Sequence, residues 1–368
     1  MLCIGSETMG LAGSTKAADL AVAGGGLLGR LLAWRAARAG VRVALYEAGG
    51  RLGEESAAWA AAGMVAPASE ALDASAGIVA RGRRSLELWP QWLKQLPLPV
   101  YFRDTGTVTV WHGEGSGEAA VEADRLEAAV QAHCGNGIGA ERIGRDRLRA
   151  LEPAVAAGFD RALYLPGEAQ LDNREVLAAL ALALEDAGVE CHWSTRVSDD
   201  ALPSAAVVAD CRGMGARQPL AGLRGVRGEI LRLHAPEVQL THMVRLIGGA
   251  QPVYVVPRAR GRLVVGATAY ESDDRSPASV GGVMRLLAAA VSLLPGLEEA
   301  RILEFSTQVR PAFADRQPVM LWEPDRGAAR SEGTSRILRI NGLYRHGFLL
   351  SPAVVEEALA MIARHAPR

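Results

Sequence analysis

Residues 18–47 read ADLAVAGGGLLGRLLAWRAARAGVRVALYE, and this stretch decides the fold. Residues 18–23 are a short apolar run suited to a buried parallel strand. Gly24, Gly26 and Gly29 follow at once. Residues 30–40 read as a helix ending at Gly40, and residues 41–46 as a second strand with Glu47 at its end. Strand, glycine turn, helix, strand and terminal acid together make a dinucleotide-binding unit. Gly24 permits the tight turn, Gly26 lets backbone approach a diphosphate, and Gly29 allows close helix–strand packing. Amides at the helix start, that of Leu28 among them, and the helix dipole favour the diphosphate. Glu47 is suited to accept hydrogen bonds from ribose hydroxyls, and its charge disfavours an NADP phosphate. A plain strand–helix turn would account for the glycines singly, but not for three at these offsets together with Glu47.

The unit alone does not choose between NAD and FAD. Residues 55–67, ESAAWAAAGMVAP, help. Small residues at Ala61, Ala62 and Gly63 suit backbone that lies flat against a large planar ring. An alanine-rich helix is the alternative, and Gly63 and Pro67 argue against a long one. Met64 packs either on such a ring or in the core.

Composition narrows the class. The chain has 368 residues, 49% of them hydrophobic and 22% charged, with a formal net charge of -1. That is the profile of a soluble globular enzyme of two domains, with no electrostatic call for nucleic acid or an anionic membrane. Cys3, Cys134, Cys191 and Cys211 show no CxxC pair, and the histidines make no HExxH motif, so no metal site is expected. Free thiols point to a reducing cytoplasm. Residues 1–16 read as a loose leader rather than a signal peptide.

The motifs GGGLLG…YEAG and SAAWAAAGMVAP resemble those of the D-amino-acid oxidase superfamily, most closely the glycine oxidases of thiazole biosynthesis. The resemblance continues through VYVVPR (253–258), GRLVVGAT (261–268), VRPAFADRQP (309–318) and GLYRHGFLLSP (342–352). It implies an α/β fold: a discontinuous, Rossmann-like FAD-binding domain plus a substrate domain with a mixed or antiparallel sheet. On the sequence the first domain takes residues 17–100, 140–215 and 300–368, and the second 101–139 and 216–299. Residues 173–187 and 282–294 read as amphipathic helices. Residues 113–117 and 325–333 read as exposed loops.

The resemblance also implies site residues. Val197 corresponds to the place where backbone meets adenine, and Gly213 to a turn beside the cofactor. Gly347, Phe348, Leu349 and Leu350 lead into a final helix, 353–363, whose N-terminus would stabilise negative charge on the flavin. No cysteine falls in 305–325, so FAD is expected to be non-covalent. Tyr254, Arg310 and Arg345 match residues that line the substrate pocket. From the residues alone, either arginine could instead bridge to an aspartate such as Asp315, and Tyr254 could be a core tyrosine. An arginine fork does match a carboxylate bidentately. His346 is not needed as a base, because hydride transfer from a neutral amine requires none.

The implied reaction is oxidation of glycine or a small D-amino acid by hydride transfer to flavin N5, with O₂ giving hydrogen peroxide. Ala269 departs from the resemblance, since glycine oxidases carry methionine there, and a smaller residue enlarges the pocket. Alternatives are a sarcosine or N-methylamine oxidase, a quinone-linked dehydrogenase, or a flavin-binding electron-transfer subunit. An NAD dehydrogenase is a fourth. A homo-oligomer is compatible with all of them.

Overall fold

The structure is a computed structural model that describes residues 18–113, 117–134, 139–249, 251–323 and 335–365. The leader 1–16 and most of the two expected loops lie outside the described residues. Leu20–Ala23 and Val43–Tyr46 pair in parallel, with Leu27–Arg38 as the crossover helix between them. They sit inside a six-stranded sheet ordered Val319–Trp322, Arg336–Asn341, Val207–Asp210, Leu20–Ala23, Val43–Tyr46, Glu190–His192. Every pairing is parallel except that of Val319–Trp322. These strands are short and apolar because helices cover them. Leu27, Leu31 and Leu32 are buried, each contributing about 1.5–3 kcal/mol.

The C-terminal helix runs Gly347–His365 and packs on the first helix and on Ala76–Leu93. It begins six residues earlier than the expected 353–363, so Gly347–Pro352 is its first part rather than its approach. Pro352 offers no amide to the Phe348 carbonyl one turn back. The Trp89 indole donates to that oxygen instead, at 2.8 Å, which lets the helix pass through the proline. By length and composition this segment, Tyr344–Arg364, could span a membrane, yet it is packed among core helices.

A second, nine-stranded sheet holds Tyr270–Glu271, Arg224–His234, Arg262–Gly266, Val253–Pro257, Met243–Ile247, Thr107–Trp111, Arg161–Leu165 and Glu141–Gly144. Arg301–Ala312 pairs along the other side of Arg224–His234. The sheet is antiparallel except where Met243–Ile247 meets Thr107–Trp111. Here the sequence boundaries need correction. Glu141–Gly144, Arg161–Leu165 and Arg301–Ala312 were expected in the nucleotide-binding part, but they hydrogen-bond in this larger sheet. Buried apolar strands look alike whichever sheet they join, because partner choice is non-local.

Alternation gives the larger sheet two different faces. One carries Leu231, Leu233, Val253, Val255 and Val265 against Leu286, Ala290 and Leu293 of the helix Val280–Leu293. The other carries Ile230, Met243, Val256 and Val264, and meets Ala60, Ala62 and Ala66. Tyr254 is on this second face, where the two sheets enclose a cavity.

Candidate active site

The cavity measures about 610 Å³ and runs from the glycine turn to Tyr254 and Arg310. At one end Glu47 accepts hydrogen bonds from the Gly25 amide at 2.5 Å and the Gly49 amide at 2.7 Å. Gly24 has φ +99°, and a Cβ there would lie 2.6 Å from the Cys211 carbonyl. Gly29 does not reach the cavity; a Cβ on it would lie 1.9 Å from the Gly24 oxygen. Gly26 and Leu28 do line it, and a Cβ on Gly26 would approach only Ser56, at 3.7 Å. Amides at the start of a helix, a bare glycine beside open space and a carboxylate at the next strand end suit the adenosine diphosphate half of FAD.

Val197 and Gly213 line the same end. Arg212 holds the Val197 carbonyl at 2.9 Å and also binds Asp199 and Asp210. Arg339 reaches the same two aspartates from the neighbouring strand. Arg212 and Arg339 thus fasten the loop that carries Val197.

In the middle, Ala61, Ala62, Gly63 and Met64 line one wall. Gly63 has φ +60°, and a Cβ would lie 2.1 Å from the Leu171 carbonyl, so the segment lies flat against its strand neighbour. Gly347, Phe348 and Leu349 form the facing end at the start of the C-terminal helix. Leu350 does not reach the cavity. It is fully buried in the core, because consecutive helix positions point to different sides.

At the far end Arg245, Tyr254 and Gly266 are direct cross-strand partners on three adjacent strands. The Tyr254 phenol lies over Gly266, where a Cβ would come within 2.4 Å of its oxygen. Burial pushes the phenol above its ordinary pKa against the pull of Arg310, so it remains a neutral donor. Arg310 donates to the Thr268 carbonyl at 3.1 Å and passes over Gly228, where a Cβ would lie 2.1 Å from its guanidinium. It has no carboxylate partner among the described residues, Asp315 included.

Arg345 differs. It also lines the cavity, but it donates to Glu70 at 2.7 Å and to Asp73 at 3.0 Å. His346 is buried, and its Nε2 lies 2.9 Å from the same Glu70. Burial raises the Glu70 carboxyl, but the charges of Arg345 and His346 outweigh it and hold the group well below the ordinary carboxylate range. The depressed value means that Glu70 stabilises the fold above its unfolded pKa, about 4.3, and loses that contribution as pH falls further. Glu70→Gln is therefore expected to lower unfolding free energy at pH 7 by about 1.5–3 kcal/mol and to flatten its decline below pH ~4. Denaturant unfolding at stepped pH checks this; an equally steep acid decline in the variant would clear Glu70 of the role.

Sequence inspection missed Glu70, Arg245, Gly228 and Gly266. Arg245 carried a usable signal, since in MVRLI it alternates with apolar residues as Tyr254 does in VYVVP. Gly228 and Gly266 are strand glycines, which often mark a close approach. Among the described residues no group of three acidic, histidine or cysteine side chains could hold a metal. Cys191 and Cys211 are free thiols.

Similar proteins agree with the geometry. The chain is 38% identical over 336 residues to a Rhizobium etli protein named thiamine biosynthesis oxidoreductase ThiO, covering 91% of this chain and 94% of the relative. It is 29% identical over 358 residues to the glycine oxidase of Geobacillus kaustophilus, covering 91% and 90%. The crystal structure of glycine oxidase from Geobacillus kaustophilus superposes with a TM-score of 0.81 at 27% identity, covering 96% of each chain. L-α-glycerophosphate oxidase of Mycoplasma pneumoniae, solved with FAD bound, shares the fold at a TM-score of 0.77, 20% identity and 95% coverage of each chain. Residues 19–360 match the FAD dependent oxidoreductase (DAO) family, and the chain is an FAD-dependent enzyme of that family.

Proposed function

We propose that this enzyme oxidises the amine of glycine or of a similarly small D-amino acid, with O₂ as electron acceptor and hydrogen peroxide as a product. The observation that carries the proposal is the pair at the end of the cavity: an unpaired Arg310 guanidinium beside the neutral Tyr254 phenol, each lying over a strand glycine. Arg310 is half-buried and lacks an anion among the described residues, and a substrate carboxylate supplies one. FAD, when bound, supplies the two-electron acceptor. The chain itself holds and aims the substrate: Arg310 grips the carboxylate, Tyr254 donates to it, and the apolar walls keep bulk water out. His346 is spoken for by Glu70 and is not assigned as a base. The 38% identity to a protein named for thiamine biosynthesis supports a role in supplying an oxidised glycine to that route.

A sarcosine-type reading has one feature in its favour, the small Ala269 on the cavity wall. Anaerobic bleaching of the bound flavin by glycine, sarcosine and small D-amino acids separates the two. Glycine is expected to bleach it and, under air, to release hydrogen peroxide. Bleaching by sarcosine alone would transfer the assignment, and turnover only with artificial acceptors would remove O₂.

A further inference from the structure

Arg30 is a charged residue in the second turn of the first helix, and it is fully buried with no carboxylate partner among the described residues. Its Nε donates to the Gly25 carbonyl at 2.6 Å, and its Nη1 to the Leu177 carbonyl at 2.9 Å. The remaining nitrogen, Nη2, has no hydrogen-bond partner. The guanidinium lies 4.9 Å from the Trp193 ring centre. Gly53 makes room for it, since a Cβ there would come within 3.0 Å of Nη2. Desolvation lowers its pKa to about 10, which still leaves it charged at neutral pH.

Gly25 is thus gripped from both sides. Glu47 takes its N–H and Arg30 takes its C=O. In a trans peptide the N–H points opposite to the C=O. Fixing the Gly25 carbonyl on Arg30 therefore turns the Gly26 N–H the other way, and Gly26 borders the cavity. No acceptor for that N–H occurs among the described residues. We infer that Arg30 is a positioning residue for FAD: it anchors the Gly25 carbonyl to the helix Asn173–Asp186 and aims the Gly26 amide at the cofactor diphosphate. Its charge, offset only in part by Glu47 and Glu54 without an ion pair to either, adds to the helix dipole at the place where the diphosphate's negative charge is needed. The inference rests on FAD binding, and not on which amine is oxidised.

The test is direct binding of FAD, and of ADP in competition with it, to the wild type, Arg30→Met and Arg30→Lys. Apoprotein melting temperatures and ³¹P spectra of bound FAD are recorded alongside. Loss of the charged hydrogen bonds is expected to raise the FAD Kd of Arg30→Met by about tenfold or more, with a matching loss for ADP. Arg30→Lys keeps the charge and is expected to recover part of it. The ³¹P resonances should move in both variants while the visible flavin spectrum stays unchanged. Wild-type FAD affinity in Arg30→Met would overturn the inference, as would a loss confined to FAD and absent for ADP. If Arg30→Met does not fold, Arg30→Lys decides: wild-type Kd and ³¹P shifts there overturn it. Glycine turnover enters neither outcome, so a wrong substrate and a wrong role for Arg30 remain distinguishable.

Discussion

Arg310→Ala is expected to lower kcat/KM for glycine by about 10²- to 10³-fold, the consequence of removing one partner from a desolvated, hydrogen-bonded charge pair. The visible flavin spectrum should persist, because Arg310 donates to the Thr268 carbonyl rather than to the segments that enclose the glycine turn. How the loss divides is informative. A rise in KM alone would mean that Arg310 holds substrate and transition state equally. A fall in kcat as well would mean that it also aims the Cα–H bond. Arg310→Lys restores the charge without the planar fork and should recover only part of the activity. Unchanged glycine turnover in Arg310→Ala would end the carboxylate assignment. Arg345 is expected to behave differently, since Glu70 and Asp73 already compensate its charge. Its removal would act mainly through stability and the shape of that wall.

The contrast between these two arginines marks where the sequence stops being legible. Both stand among apolar neighbours, and both match pocket arginines in the resemblance. What separates them is that Glu70 and Asp73 lie 275 and 272 residues from Arg345, brought there by the packing of the C-terminal helix. No local pattern encodes that meeting. The glycine turn, by contrast, is a contiguous code in which each offset has its own steric reason, and the structure places Gly24, Gly26, Gly29 and Glu47 accordingly. Ala61 to Met64 and Gly347 to Leu349 line the cavity, as short segments whose small or helix-initiating residues act locally. The Leu350 side chain turns into the core for the opposite reason: helix phase, not membership of a motif, decides which way a side chain points.

Strand membership shows the same limit on a larger scale. Thr107–Trp111 was located correctly from its β-branched alternation, but nothing in Arg161–Leu165 told that it pairs with Thr107–Trp111 rather than in the nucleotide-binding sheet. Arg30 is the subtler case. It reads as one more polar residue of an amphipathic helix, and only the course of residues 49–53 and of the helix Asn173–Asp186 closes it in. Single residues were legible where their chemistry is exercised on sequence neighbours. They were illegible where the partner arrives from elsewhere.

Gly29→Ala and Gly26→Ala test the nucleotide end as a pair, and they are expected to fail in different ways. The Gly29 methyl would sit 1.9 Å from the Gly24 carbonyl oxygen and 3.3 Å from Val22. The first of these is backbone, so it cannot rotate aside. Either the first helix lifts from its strand or the Gly24 turn opens, at a cost of about 3 kcal/mol or more. The apoprotein should therefore melt lower, and FAD should not copurify. At Gly26 the methyl would meet only Ser56, at 3.7 Å, and would project toward the cavity. Apoprotein stability should stay within about 1 kcal/mol of wild type, the small cost of alanine at an N-cap position. FAD affinity should nonetheless fall by about 100-fold, because the methyl occupies the close approach that the diphosphate needs. Melting curves of the two apoproteins and flavin-fluorescence titrations separate these losses. Wild-type FAD affinity in Gly26→Ala would mean that the diphosphate does not lie against this turn, however well the glycines fit the fingerprint.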